Sequence, residues 1–206
     1  ANPLMLSLLK WKYKLTGDII VPVVGWATTY FPICQNGFTL NFVDVDPNTW
    51  NIDVDKIEAA ITPNTCAIMP VNLLGNSCDF DRLIEICRKH NLMLIEDNCE
   101  SMGAKYNGQY TGSIGLAGSF SFFFSHHIQT MEGGMVLTDS KDDADYIAHE
   151  ASSIKMEALK QLEVLALKVI SRAERRRLDE AEEQRKKDEE RARARSLRTS
   201  LRGSVQ

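Results

Sequence analysis

Three places along the sequence carry side chains that could take part in chemistry. Glu96 and Asp97 end one apolar run, Trp26 follows another, and the histidine pair His126 and His127 follows a third. A carboxylate at the end of a buried strand can pair with a cation, and an exposed indole can stack on a flat ring. Imidazole titrates near neutral pH and can act as a general base. Together these residue types indicate an acid–base site with an aromatic stacking surface.

Each feature also has a structural interpretation. An aspartate after a strand can cap the next helix, a single tryptophan can simply pack in the core, and adjacent histidines on a loop are often exposed polar surface. Two consecutive side chains on a strand point to opposite sides, so His126 and His127 are not expected to bind one metal ion, and no metal site is predicted. The spacing alone leaves these alternatives open.

The segments around these residues alternate between apolar runs and helical patterns. Strands are predicted over 18–24, 38–46, 66–72, 92–97, 119–124 and 135–138, and helices over 1–15, over 52–61 with Asp53 as its cap, and over 80–89. Apolar strands separated by helices are typical of a mostly parallel α/β sheet that is covered on both faces. Ligands bind such sheets at the carboxyl ends of the strands, which is where Trp26, Asp97 and residues 121–134 lie.

Charge divides the chain near residue 150. Residues 151–206 hold 15 of the 24 Lys and Arg and 10 of the 28 Asp and Glu, with no aromatic residue and no proline. The preceding part is therefore acidic, which argues against nucleic-acid binding there. We expect a globular α/β unit over 1–146, followed by a helical, charge-rich tail over 147–206.

Cysteine spacing and hydropathy bear on location. The five cysteines follow no metal-type spacing and are interpreted as reduced thiols. No apolar run approaches the roughly 18 residues that a membrane span requires. The first residues carry their charges after the apolar run, unlike a secretory signal. These features predict a cytoplasmic protein without a membrane partner.

The order of several short motifs resembles the DegT/DnrJ/EryC1/StrS family over about residues 1–145. The motifs include Val43-Asp-Val-Asp, Leu94-Ile-Glu-Asp, Gly112-Ser-Ile-Gly, Ser119-Phe-Ser-Phe-Phe and Glu132-Gly-Gly-Met-Val. This family comprises sugar aminotransferases and dehydratases that depend on pyridoxal 5'-phosphate (PLP). The resemblance implies the large domain of the aspartate-aminotransferase (type I PLP) fold, PLP or its pyridoxamine form as cofactor, and a nucleotide-linked sugar as substrate.

The resemblance also implies a role for each candidate residue. Asp97 matches the carboxylate that pairs with the pyridine nitrogen and keeps the ring protonated. Trp26 matches the aromatic residue that stacks on the ring, Ser121 matches a serine that contacts the phosphate, and Glu100 lies in the same pocket motif. His126 stands where the aminotransferases of the family have the lysine that binds the cofactor covalently.

Histidine at position 126 indicates a subclass within the family. Imidazole cannot form a Schiff base with the cofactor, but it can move protons, as a dehydratase requires. The resemblance therefore implies a 3-dehydratase of a nucleotide-linked 4-keto-6-deoxy sugar, with glutamate as amino donor and with an active site at a homodimer interface. A PLP-dependent nucleotide-sugar aminotransferase, or a non-catalytic chimeric or assembly protein, is the alternative.

The resemblance further implies that parts of the family fold are missing. A Gly–Ser turn that helps to bind the phosphate precedes the position of Ala1 in the family, and more of the large domain and a small domain follow the position of Tyr146. We therefore expect a truncated core joined to a tail of unrecognised origin, and weak or absent catalysis by this chain.

Overall fold

The computed structural model describes residues 1–126 and 128–154, in which strands and helices alternate. The strands are β1 (Asp18–Pro22), β2 (Thr39–Val43), β3 (Thr65–Ile68), β4 (Met93–Asp97), β5 (Lys105–Tyr106), β6 (Gln109–Tyr110), β7 (Ala117–Ser121) and β8 (Gly134–Leu137). The helices are α1 (Asn2–Ser7), continued by a π-helical turn (Leu8–Lys12), α2 (Ala27–Gln35), α3 (Val54–Ala60), α4 (Phe80–His90) and α5, described over 141–154, with a 3₁₀ turn at Leu73–Gly75.

Six of the strands form one mostly parallel sheet in the order β2-β1-β3-β4-β7-β8. Its neighbouring strands are parallel except for β7 and β8, which are antiparallel. The order reverses between β1 and β3, and ligands of open α/β sheets bind near such a switch point, outside the carboxyl ends of the strands. The predicted mostly parallel α/β sheet is confirmed.

Each face of the sheet has its own hydrophobic core. Because successive strand residues point to opposite faces, Ile19 and Ile95 lie in one core, and Ile20 and Leu94 lie in the other. We call the first side the α1–α2 face, since buried side chains of α1 and α2 pack there, and the second the α3–α4 face. The helix side chains that fill these cores are Met5, Leu6, Leu8, Leu9 and Ile33 on the α1–α2 face, and Ile57, Phe80, Leu83, Ile86 and Cys87 on the α3–α4 face.

Local capping explains where the helices of the α3–α4 face begin and end. The carboxylate of Asp53 accepts a hydrogen bond from the backbone N–H of Asp55 at the start of α3, which confirms the predicted cap. The carboxylate of Asp79 accepts one from the N–H of Arg82 at the start of α4. Helix α4 ends at His90, and the backbone of the next residue, Asn91, is left-handed with φ 53°.

Several predicted elements differ from those in the structure. The structure has a helix, α2, at Ala27–Gln35, where none is predicted; this helix contains Pro32. It also has a short hairpin of β5 and β6 that turns at Asn107 and Gly108, which is not predicted either. The predicted strand over 119–124 ends at Ser121, so the aromatic run that follows lies in a loop. The predicted helix over 1–15 is regular only to Ser7, then widens into the π-helical turn that ends at Lys12.

Two expectations concern the chain as a whole. Among the residues that the structure describes, no helix is long and apolar enough to cross a membrane. Ala1–Ser152 form one compact unit, and residues 155–206 of the second unit, Ser153–Gln206, lie outside the described residues. The predicted boundary after residue 146 and the predicted tail therefore stay predictions.

Candidate functional site

Asp97 is a buried carboxylate at the carboxyl end of β4, only 1% exposed. Its Oδ2 accepts hydrogen bonds from Thr29 Oγ1 at 2.8 Å and from Asn2 Nδ2 at 2.9 Å, and its Oδ1 accepts one from the backbone N–H of Cys99 at 3.1 Å. Within the described part of the chain, no Lys, Arg or His side chain pairs with this carboxylate. A buried charge is costly without a counter-charge, so the site is suited to a cationic partner.

The negative charge of Asp97 contributes to raised pKa values of two neighbouring groups, Tyr30 and Cys99. Burial first, and the Asp97 charge second, raise the pKa of Tyr30 to about 12. The same two causes raise the pKa of the Cys99 thiol far above its ordinary value. Residues 98–104 form turns and no helix follows directly, so the interpretation of Asp97 as a helix cap is wrong.

Trp26 occupies the residue before α2 and is 74% exposed, so the alternative that it packs in the core is wrong. Its carbonyl accepts the backbone N–H of Thr29 at 2.9 Å in the first turn of the helix. Thr29 is itself buried and bonds Asp97. The first turn of α2 therefore connects the exposed indole to the buried carboxylate.

Ser121 lies at the end of β7, next to the strand that carries Asp97. Asp97 is paired with Ser119 in the ladder between β4 and β7. Ser119 and Ser121 point to the same face, since they are two residues apart, and Ser121 lies about 7 Å further along the strand. Ser121 is half-buried, and its hydroxyl oxygen accepts the N–H of Phe123 at 3.3 Å. Asp97 and Ser121 thus share the α1–α2 face at the carboxyl edge.

His126 lies in the loop after β7 and is half-buried. Its backbone N–H donates to the carbonyl of Phe123 at 3.0 Å, and the two rings meet edge-on with centroids 6.4 Å apart. Among the hydrogen bonds and ring contacts of the described residues, the His126 side chain is joined to Phe123, and none joins it to Asp97 or Trp26. The role predicted for His126 stays a prediction, and His127 lies outside the described residues.

Glu100 lies on the other side of Asp97, towards β3. It is half-buried, and its Oε2 accepts the backbone N–H of Leu74 at 3.3 Å. Leu74 belongs to the 3₁₀ turn after β3 and has a left-handed backbone with φ 52°. Glu100 therefore contacts the turn that follows the neighbouring strand, at the same edge of the sheet as Asp97.

Four polar residues of this edge were not predicted: Asn2, Thr29, Asn72 and Asn98. Asn72 and Asn98 are fully buried, and Asn72 Nδ2 donates to Asn98 Oδ1 at 2.7 Å. Over the described ranges, the buried side-chain atoms without a hydrogen-bond partner are Asn2 Oδ1 and Asn98 Nδ2. Asn2 bonds Asp97, whereas Asn98 Nδ2 lies beside Gly112 on the opposite face of the sheet. Unsatisfied buried polar atoms are rare in folded proteins, and the position of Asn2 Oδ1 beside Asp97 supports a ligand site there.

Glu96 is fully buried on the opposite face of the sheet and has a structural role. Its two oxygens accept the backbone N–H groups of Gly112 at 2.6 Å, Ile114 at 2.7 Å and Gly115 at 2.7 Å. Burial raises the pKa of this carboxyl, and the three N–H donors oppose that effect. Gly112 has φ +88°, and a Cβ there would lie 2.4 Å from the Phe120 ring. Glu96 thus fixes a turn that only glycine can make.

Neither metal ligation nor disulfide bonding is seen among these groups. In the described part of the chain, no cluster of three or more His, Cys, Asp or Glu could hold a metal ion. All five cysteines are free. The groups that meet at this edge include the buried Asp97 carboxylate with its neutral donors, the half-buried Glu100 carboxylate, the Ser121 hydroxyl and the exposed Trp26 indole.

Comparisons with known proteins identify the family. The model of the DegT/DnrJ/EryC1/StrS aminotransferase family matches residues 1–179. The GDP-4-keto-6-deoxy-D-mannose 3-dehydratase of Yersinia pseudotuberculosis is 53% identical over 146 residues, which are 69% of this chain and 37% of that protein.

Solved structures show the same fold. The E. coli GDP-4-keto-6-deoxy-D-mannose 3-dehydratase with bound hydrated PLP is 47% identical, has a TM-score of 0.65, and is matched over 69% of this chain and 38% of that one. A GDP-4-keto-6-deoxymannose 3-dehydratase with a trapped PLP–glutamate geminal diamine is 45% identical, has a TM-score of 0.68, and is matched over 71% of this chain and 39% of that one. The chain spans less than two fifths of the length of these relatives. The expected type I PLP fold is confirmed, and the chain belongs to the DegT/DnrJ/EryC1/StrS aminotransferase family.

Proposed function

We propose that this chain carries the cofactor site of a PLP- and glutamate-dependent 3-dehydratase, which removes the 3-hydroxyl of a nucleotide-linked 4-keto-6-deoxy sugar. The observation that carries the proposal is the Asp97 carboxylate, buried at the carboxyl edge of the sheet and held by neutral donors only. Relatives named as 3-dehydratases, one with bound PLP and one with a PLP–glutamate adduct, support it.

The residues present fit the cofactor. A protonated pyridine ring offers the cationic N–H donor that the buried Asp97 carboxylate lacks. The exposed indole of Trp26 offers a flat apolar surface for one face of that ring. The hydroxyl of Ser121, on the same face of the sheet as Asp97, offers a donor for the phosphate. When bound, the cofactor supplies an electron sink and, in its pyridoxamine form, an amino group.

Each side chain then has a task set by its own chemistry. The Asp97 carboxylate accepts the ring N–H and so holds the proton on the ring nitrogen. Trp26 excludes water from one side of the ring, and Ser121 donates its hydroxyl proton to a phosphate oxygen. His126 accepts a proton at an unprotonated ring nitrogen and returns it, which imidazole does readily near neutral pH.

The residue at position 126 favours dehydration over amino transfer. An imidazole has no primary amine with which to hold the cofactor covalently, so the cofactor is bound by stacking, the ion pair and phosphate contacts. The proposal also includes glutamate as the amino donor, assembly into a homodimer and a cytoplasmic location. A comparison of GDP- and dTDP-linked substrates determines which nucleotide the sugar carries.

A titration with PLP, followed by absorbance, tests the proposal on this chain. We expect saturable binding that dialysis reverses and that borohydride does not make permanent. Reductive trapping on a lysine would instead favour an aminotransferase, and absence of binding would favour a non-catalytic protein. Incubation with PLP, glutamate and either GDP- or dTDP-linked 4-keto-6-deoxy sugar, followed by mass spectrometry, then tests for loss of the 3-hydroxyl.

A further inference from the structure

The hydrogen bond between Thr29 and Asp97 joins two parts of the candidate site that lie 68 residues apart in sequence. Both side chains are buried, each about 1% exposed. Thr29 lies in the first turn of α2, three residues after Trp26, whose carbonyl accepts the Thr29 N–H. The hydroxyl therefore links the helix that begins at the stacking residue to the carboxylate that faces the ring nitrogen.

The contacts also distinguish the two oxygens of Asp97. A carboxylate oxygen accepts about two hydrogen bonds. Oδ2 already accepts two, from Thr29 Oγ1 and from Asn2 Nδ2. Oδ1 accepts one, from the backbone N–H of Cys99. One acceptor position therefore remains, and it lies on Oδ1.

Asn2 strengthens the same arrangement from a third element. Its Nδ2 donates to Asp97 Oδ2 and to the carbonyl of Thr28 at 3.1 Å. It thus bonds both the carboxylate and the first turn of α2. Rotation of the carboxylate would break both bonds at Oδ2, so its orientation is fixed from α1 and α2 together.

We propose that Thr29 is a positioning residue for the cofactor ring, with Asn2 as its helper. The Thr29 hydroxyl fixes the carboxylate so that Asp97 Oδ1 receives the ring N–H, and it sets the position of the Trp26 indole relative to that oxygen. This inference rests on the proposed function, since it concerns the same cofactor site. Loss of the hydroxyl lets the carboxylate rotate away from the ring N–H, so the ring nitrogen holds its proton less well.

The chain offers a matched control at the opposite edge of the sheet. Thr65 Oγ1 donates to Asp18 Oδ2 at 2.8 Å, the same hydroxyl–carboxylate bond as that of Thr29. Asp18 is also largely buried, but it lies at the amino end of β1. Thr65→Val therefore removes a hydroxyl–carboxylate bond at the other edge of the sheet, together with the acceptor of the Thr62 backbone N–H.

The test measures PLP affinity by absorbance titration, and the protonation of the ring nitrogen by NMR of bound ¹⁵N-labelled PLP as a function of pH. For Thr29→Val we expect about ten-fold weaker binding, and loss of the ring proton at a lower pH than in the unaltered chain. Thr29→Ser, which keeps the hydroxyl, should restore both values. Thr65→Val should leave both unchanged, although it lowers the thermal stability.

The outcomes separate this inference from the proposed function. If the unaltered chain does not bind PLP, both are overturned. If it binds PLP and Thr29→Val gives the same affinity and the same ¹⁵N titration, the proposed function stands and the role of Thr29 is refuted. Should Thr29→Val fail to fold, Asn2→Ala removes the other donor to Oδ2. The same loss of ring protonation in that variant supports the proposal, and an unchanged titration refutes it.

Discussion

Glu96 and Asp97 are consecutive buried carboxylates that face opposite sides of the sheet. Glu96 accepts three backbone N–H groups of the turn at residues 112–115, and Asp97 accepts side-chain donors from α1 and α2. The alternation of side chains along β4 produces this division. The hydrogen bonds of Glu96 hold a turn, whereas Asp97 keeps one acceptor position, on Oδ1, for a ligand.

Replacement of Glu96 by glutamine tests its structural role. Glutamine has one acceptor oxygen, and its amide N–H₂ would face at least one of the buried N–H groups that Glu96 now accepts. An unsatisfied buried donor costs about 1–3 kcal/mol. We therefore expect Glu96→Gln to lower the free energy of unfolding by about that amount at neutral pH, measured by urea denaturation.

Glu85→Gln is the matched control for this change. Glu85 is exposed on α4, and exposed substitutions of this kind usually change stability by less than about 0.5 kcal/mol. Equal stability of the two variants would show that the contacts of Glu96 contribute little.

Replacement of Trp26 by alanine separates cofactor binding from stability. The indole is 74% exposed, so its loss should leave the melting temperature nearly unchanged. Aromatic stacking contributes about 0.5–1.5 kcal/mol beyond buried area, so PLP should bind several-fold to ten-fold more weakly. Trp11→Ala, at an indole that is 65% exposed on the π-helical turn, serves as the control in the same absorbance titration. Equal affinity of the Trp26 and Trp11 variants would contradict the stacking role.

The common position of Trp26 and Asp97 could be predicted from the sequence, because each comes at or just after an apolar strand and parallel strands bring such positions to one edge. Their roles are implied by the family resemblance and not by the spacing. The same reasoning fails for Asn2 and Thr29. Their bonds to Asp97 span 95 and 68 residues, and no local pattern marks either side chain. Helix α2 was missed because its sequence holds β-branched residues and Pro32, which disfavour helix when considered without their tertiary contacts.

Replacement of His126 tests how the cofactor is held. His126→Lys supplies a primary amine at the position where the aminotransferases of the family have theirs. We expect borohydride to attach PLP to this variant permanently, as shown by peptide mass spectrometry at residue 126. His126→Asn, which supplies no primary amine, should bind PLP reversibly and should not be trapped by borohydride, as we propose for the unaltered chain. Failure of the lysine variant to trap PLP, when it still binds PLP reversibly, would mean that residue 126 does not face the cofactor.

The cysteines give a prediction that depends on pH. Burial raises the pKa of Cys78 and of Cys87 to about 12, and burial with the nearby Asp18 charge raises that of Cys66 to about 11. Only the thiolate reacts with iodoacetamide, and a thiol of pKa 11 is about one part in a thousand ionised at pH 8. Cys34 is exposed. We therefore expect mass spectrometry of the folded chain at pH 8 to find label on Cys34 first.

A raised thiol pKa also determines how labelling changes with pH, because thiolate forms in quantity only as the pH approaches that pKa. Labelling of Cys66 should thus increase before that of Cys78 or Cys87 as the pH rises towards 10, while urea-unfolded chain is labelled at all five positions. Rapid labelling of Cys78 at pH 8 without denaturant would contradict its burial in the core of the α3–α4 face.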